Sequence, residues 1–166
     1  MKALRGQHVA DVTAIGMTGA PVAIASLAHY ANPMQINKPN KQRLYDLVVW
    51  GASGFVGKLV VEYLVEKYSQ DKQLRWAIAG RNREKLESLL DTLKDLEQRP
   101  SILIADSHDR NSLDQLTQDT KVVITTVGPY AKYGSALVES CVRNGTDYCD
   151  LCAEVPWMRK MIDQHQ

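Results

Sequence analysis

From Asp46 onward, short β-branched runs alternate with longer stretches in which apolar residues return every three or four positions. The runs "DLVVW" (46–50), "LRWAIA" (74–79), "SILIAD" (101–106), "KVVITTV" (121–127) and "TDYCDL" (146–151) predict five strands. Helical periodicity over 55–68, 83–96, 110–118, 135–143 and 156–164 predicts a helix after each of them. Asn144-Gly145 closes the fourth helix, because glycine takes the left-handed conformation at a helix end, and Pro100 separates the second helix from the third strand. This strict alternation predicts an α/β, Rossmann-like, doubly wound parallel sheet of about five strands. Its ligand crevice is expected outside the carboxyl ends of the strands.

The pattern is different upstream. "ANPMQINKPNKQ" (31–42) mixes Pro, Asn and Lys without an apolar period, so residues 1–44 are expected to be a poorly ordered extension and the domain to occupy 45–166. The apolar stretch at 14–28 is interrupted by Gly16, Gly19 and Pro21 and falls short of the roughly 20 residues that span a bilayer. Residues 1–43 hold one acid, Asp11, against Lys2, Arg5, Lys38, Lys41 and Arg43, which leaves a mitochondrial transit peptide open beside the default of a cytoplasmic protein.

Composition narrows the class. The chain has 166 residues, 45% hydrophobic and 23% charged, with a net charge of +1. That is enough for one soluble domain with a core, and it points to neither nucleic acid nor an acidic membrane. Three cysteines, Cys141, Cys149 and Cys152, are an odd number without a secretory signal, so a reducing compartment is expected.

The chemistry begins in "GASGFVG" (51–57), which leaves the first strand and opens the first helix. There Gly51 allows the tight turn, Gly54 lets a pyrophosphate approach the backbone, and Gly57 lets helix and strand pack closely. The helix start at Phe55 and Val56 offers N–H groups and a partial positive charge to phosphate, and Ser53 adds a hydroxyl. A nicotinamide dinucleotide is the expected partner. Gly57-Lys58 is not the end of a nucleoside-triphosphate loop: five residues, not four, separate Gly51 from Gly57, and Leu59 replaces the magnesium-binding hydroxyl.

The second strand ends in "AGRNREK", with Arg81 where an NAD site usually has an acid, so NADP(H) is preferred over NAD(H). Arg83 and Lys85 follow as helix charges. Asp106, at the end of the third strand, either accepts from the adenine amino group or caps the next turn, with Ser107, His108 and Asp109 beside it. Gly128 and Pro129, in "TTVGPY", lie near the expected nicotinamide half, with Tyr130 and Tyr133 either lining the pocket or packing over the strand ends.

Two patterns are decoys. Tyr63 and Lys67 have the spacing of a short-chain dehydrogenase pair but lie on the helix after the glycine loop, where packing of Tyr63 and solvation of Lys67 are expected. "CDLC" has no second cysteine pair and reads as core thiols, with Cys152 still open to exposure at the crevice. No metal site is expected, "DSHD" at 106–109 included.

Taken together, "YDLVVWGASGFVGKLVVEYL", "WAIAGRNREKL" and "VGPYAKYGSALVESCVRNGTDYCDLCAE" resemble the saccharopine dehydrogenase-like oxidoreductases, which include the trans-acting enoyl reductases. The resemblance maps the family's NADP loop onto 51–57, its AGR turn onto 79–81 and its VGPY segment onto 127–130. Its D-x-x-G-E signature falls on Asp150 and Glu154, with Ala153 where the family usually has glycine. The resemblance implies hydride transfer to a lipid-like enoyl or an amino-acid imine, with Tyr130 and Glu154 the nearest candidates at the reacting end. It also implies membrane or lipid-droplet association, and a second, substrate-bearing domain that is not found within these residues. The expected reading is therefore a cofactor domain incomplete as an enzyme. A catalytically silent nicotinamide sensor acting through a protein partner is the alternative, and a truncated product without its own role is a third. A homo-oligomer is left open.

Overall fold

The computed structural model describes residues 42–93, 96 and 98–165; the expectations for residues 1–41 lie outside them. The elements run β1 (Tyr45–Trp50), α1 (Phe55–Tyr68), β2 (Trp76–Gly80), α2 (Arg83–Thr92), β3 (Ser101–Ile104), α3 (Arg110–Gln118), β4 (Thr120–Thr125), α4 (Tyr130–Tyr133), α5 (Ser135–Asn144), β5 (Asp147–Cys149) and α6 (Val155–His165). The five strands form one parallel sheet in the order β3-β2-β1-β4-β5. The order reverses beside β1, which pairs with β2 on one side and with β4 on the other, and this is where such a sheet leaves a ligand crevice.

Alternation along β1 divides the core. Val48 and Trp50 face one side, with Leu113, Leu116, Leu137 and Cys141 of α3 and α5. Val49 faces the other, with Val61, Leu64 and Val65 of α1 and Leu86, Leu89 and Leu90 of α2. Strand side chains alternate with a period of two while helices bury one stripe, so each β-branched run supplies both faces of the sheet. A third cluster joins Tyr130 and Val138 to Trp157 and Met161, fastening α6 to the outside of α5.

Where caps are strong, sequence and structure agree on element ends. Asp109 accepts from Asn111 N (3.0 Å) and starts α3 at Arg110, and Gly145, with φ of 62°, closes α5. Four differences have local causes. The helix predicted to Leu96 stops at Thr92, because Leu93 turns extended and packs against the core below α2. The third strand ends at Ile104 rather than Asp106, whose carboxylate serves the following turn. The fifth strand has three residues, as it pairs only with β4 at the sheet edge. One extra turn, α4, follows Pro129 directly.

The domain also takes in Arg43, ahead of the expected start at Tyr45. It is 8% exposed. Its Nη1 donates to the carbonyls of Thr117 (2.6 Å), Gln118 (2.9 Å) and Thr120 (3.0 Å) and to the Thr146 hydroxyl (3.0 Å). Its Nη2 donates to the carbonyls of Asn144 and Gly145. A buried charge is tolerated only when its donors are satisfied, and here uncharged acceptors at the ends of α3 and α5 do so.

Candidate functional site

A crevice of about 300 Å³ lies over the carboxyl ends of β1, β2 and β4. Its floor is the glycine loop. Gly51 has φ of +85°, and a Cβ there would lie 2.5 Å from Val127 Cγ2, so a side chain is barred by both backbone and space. The turn is held by Gly51 N on Ala79 O (2.9 Å), by Gly54 N on Gly51 O (2.9 Å) and by Thr126 Oγ1 on Gly51 O (3.3 Å). Gly57 lies underneath, where a Cβ would stand 2.1 Å from Gly51 O. Its bare backbone therefore sets the distance between α1 and the loop.

The start of α1 differs from those of α2 and α3. Asn82 caps α2 by accepting from Lys85 N (2.9 Å), and Asp109 caps α3, but no side chain caps α1 at Gly54. The first-turn N–H groups of Phe55, Val56 and Gly57 have no partner within the helix, which suits them to a phosphate. Phe55 takes part through its backbone only, since its side chain is 82% exposed and lies off the crevice.

Of the residues expected from sequence, Gly51, Ser53, Gly54, Arg81, Asp106 and Gly128 line the crevice. Arg81 follows β2 directly and forms no ion pair among the described residues, whereas Arg83 pairs with Glu87 at 3.7 Å. Asp106 meets both of its alternatives geometrically: it lines the crevice, and its Oδ1 accepts from His108 N at 2.8 Å. Pro129, joined to Gly128 by a cis peptide bond, immediately precedes α4 and lies beyond the lining. Trp50, Gly80, Ser107, His108, Thr126 and Val127 line the crevice as well, none of them a site candidate from the sequence. Position at a strand end was the signal available for them. Tyr133 does face the crevice, its ring edge-on to His108 at 5.6 Å.

Tyr130 and Glu154, the candidates for the reacting end, lie next to the crevice wall and outside its lining. Tyr130 is 5% exposed, tilted against Trp157 at 5.6 Å, and its hydroxyl donates to Thr125 O (3.3 Å) while accepting from Leu151 N (3.5 Å). Burial pushes its phenol above the ordinary tyrosine range, so it holds its proton. Glu154 spends both carboxylate oxygens on the first turn of α4, accepting from Tyr130 N and Ala131 N. Both side chains thus shape the wall beside Gly128 from behind.

The decoys also resolve. Tyr63 is 53% exposed, not packed, because the buried stripe of α1 runs through Gly57, Val61, Leu64 and Val65; its ring meets that of Tyr68 edge-on, and Lys67 pairs with Glu66 at 2.7 Å. The expected core thiols reduce to Cys141, buried and pushed up to about 12 by desolvation. Cys149 is exposed, and Cys152 is half-buried beside Tyr130 and Trp157, away from the crevice. Among the described residues no group of three His, Cys, Asp or Glu side chains could hold a metal ion, and no helix is long and apolar enough to cross a membrane.

The family model described as "Saccharopine dehydrogenase NADP binding domain" matches residues 47–166. The chain belongs to that family. This NADP-binding domain is 43% identical over 126 residues to "Lipid droplet localized protein" of Caenorhabditis elegans, covering 73% of this chain and 29% of the relative. It is 40% identical over 127 residues to "Trans-acting enoyl reductase" of Mycobacterium leprae, covering 76% of this chain and 29% of the relative. The chain therefore spans under a third of the length of these relatives. Apo saccharopine dehydrogenase (L-Glu forming) from Saccharomyces cerevisiae shares the fold, with a TM-score of 0.56 at 21% identity over 70% of this chain and 24% of that one. The glycine loop, the open start of α1 and Arg81 are the features of this domain that fit the dinucleotide: uncharged donors for the diphosphate and a free guanidinium beside them.

Proposed function

We propose that this domain holds NADP(H), in preference to NAD(H), as the cofactor half of an oxidoreductase that passes a hydride to a lipid-like enoyl or imine substrate. The observation that carries the reading is Arg81, unpaired at the end of β2 in the same crevice as Gly51, Ser53 and Gly54. The diphosphate lies over Gly54 and the N–H groups of Phe55, Val56 and Gly57. Arg81 takes the 2′-phosphate and Asp106 borders the adenine. Gly128, with Tyr133, forms the wall for the nicotinamide half, and Pro129 fixes the bend behind it. Bound NADP(H) supplies the hydride; the chain's own residues orient it and keep one face of the crevice closed.

The names of two relatives, one localised to lipid droplets and one an enoyl reductase, support the lipid-like enoyl class. Association with a lipid surface belongs to the same proposal. Calorimetric titration with NADPH and, in parallel, NADH at moderate salt is the test. Selective binding of NADPH is expected; equal binding of both would remove the preference, and binding of neither would remove the cofactor reading.

A further inference from the structure

Beside the crevice a second hollow, of about 420 Å³, runs between α1 and α2 and opens on the same Ser53. It is lined by Ser53, Lys58, Glu84, Lys85 and Ser88, with Leu89 and Thr92 at the far end. Lys58 stands one turn into α1 and Lys85 in the first turn of α2, so two helix starts bring two ammonium groups to one hollow.

Neither lysine forms an ion pair among the described residues. Their neighbours do: Arg83 pairs with Glu87, and Lys67, farther along α1, with Glu66. Arg81 borders the crevice on the other side of Ser53 and is likewise unpaired. Two ammonium groups (Lys58, Lys85) against one carboxylate (Glu84) leave the hollow a formal excess of 2 − 1 = 1 positive charge, and in the adjoining crevice Arg81 and Asp106 balance one another formally. A phosphate monoester at neutral pH carries about −1.5 to −2. The diphosphate needs no such excess, because the glycine loop meets it with uncharged N–H groups.

We propose that Lys58 and Lys85, with the hydroxyls of Ser53 and Ser88, form a seat for the ribose 2′-phosphate, so that selection between the two dinucleotides is shared by β2, α1 and α2. The proposal rests on the reading that the crevice binds NADP(H). It adds three binding residues outside the strand-end turn, Lys58, Lys85 and Ser88, and one opposing carboxylate, Glu84. The seat acts on the monoester alone, so its loss weakens NADPH and leaves NADH as it was.

The test is calorimetric titration of the parent chain, K58A, K85A, the double variant and E84Q with NADPH, NADH, 2′,5′-ADP and 5′-AMP. All three side chains are exposed, and circular dichroism checks that each variant is folded. Each lysine variant is expected to bind NADPH and 2′,5′-ADP about five- to tenfold more weakly, with NADH and 5′-AMP unchanged, and E84Q to bind NADPH and 2′,5′-ADP about twofold more tightly. If the parent selects NADPH and the double variant stays within twofold of it, the seat is overturned while the cofactor reading survives. Equal loss for NADPH and NADH would also overturn the seat, by showing general attraction only. If the parent binds neither dinucleotide, the reading beneath it falls as well.

Discussion

Glu154 reaches back across 24 residues to place its Oε1 2.6 Å from Tyr130 N, and its Oε2 lies 2.9 Å from Ala131 N. The loop after β5 is thereby tied to the turn that follows β4, next to Gly128 in the crevice wall. The two residues that the sequence suggests for the reacting end are thereby joined to each other beside that wall.

Replacing Glu154 by Ala should therefore cost about 1–2 kcal/mol of unfolding free energy, the usual worth of a side-chain helix cap. Glu154→Gln should retain only part of it, since one amide oxygen still accepts while the NH2 group faces the second N–H donor without a bond. Denaturant titration measures both. A carboxylate acting as a proton donor to substrate would leave stability unchanged in either variant.

Gly57→Ala should be the most damaging single change in the loop. The added Cβ, 2.1 Å from Gly51 O and 2.8 Å from Ala52 Cα, meets backbone that cannot move without lifting α1 off the sheet. A loss of about 3 kcal/mol is expected, with dinucleotide binding lost in the fraction that still folds. Chemical denaturation followed by titration of the same sample separates the two effects.

Arg81→Ala should weaken NADPH by about tenfold or more and NADH by less than about twofold, as the guanidinium makes charge-assisted bonds to the monoester alone. Parallel calorimetric titrations decide it. Equal losses for the two dinucleotides would return Arg81 to a general electrostatic role.

Asp114 predicts a pH dependence. The Ser140 hydroxyl (2.5 Å), followed by the Arg143 guanidinium (2.6 Å), holds its carboxyl below the ordinary value of 3.8. A folded-state pKa below the unfolded one contributes stability above the unfolded value, and that contribution fades as pH falls through the folded one. Asp114→Asn should lower the thermal midpoint at pH 7, and the gap from the parent should close as pH falls below 3.8. A gap that stays constant down to acid would show that the carboxylate charge plays no part.

The alternation of elements, α1 and α3 to their ends, and the glycine loop with Arg81 were legible because each rests on local rules: period, cap and turn. What sequence did not reveal is tertiary. The acceptors of Arg43 lie 74 to 103 positions away, so its burial left no local trace. The inward turn of Tyr130 depends on Trp157, and the capping role of Glu154 on a turn unseen in the pattern, since α4 is one turn long. Lys58 read only as a failed triphosphate motif, because the approach of α2 gives it a second meaning. In every such case a polar or aromatic group took its role from a partner far along the chain.

Arg43 also shows where homology and mechanics part company. The family match begins at residue 47, yet four positions earlier one guanidinium gathers the ends of α3 and α5 and the lead into β4 and β5. A chain cut to the matched boundary would keep every cofactor residue and lose the rivet at the opposite end of the sheet. Its crevice would be intact in sequence and loosened from below.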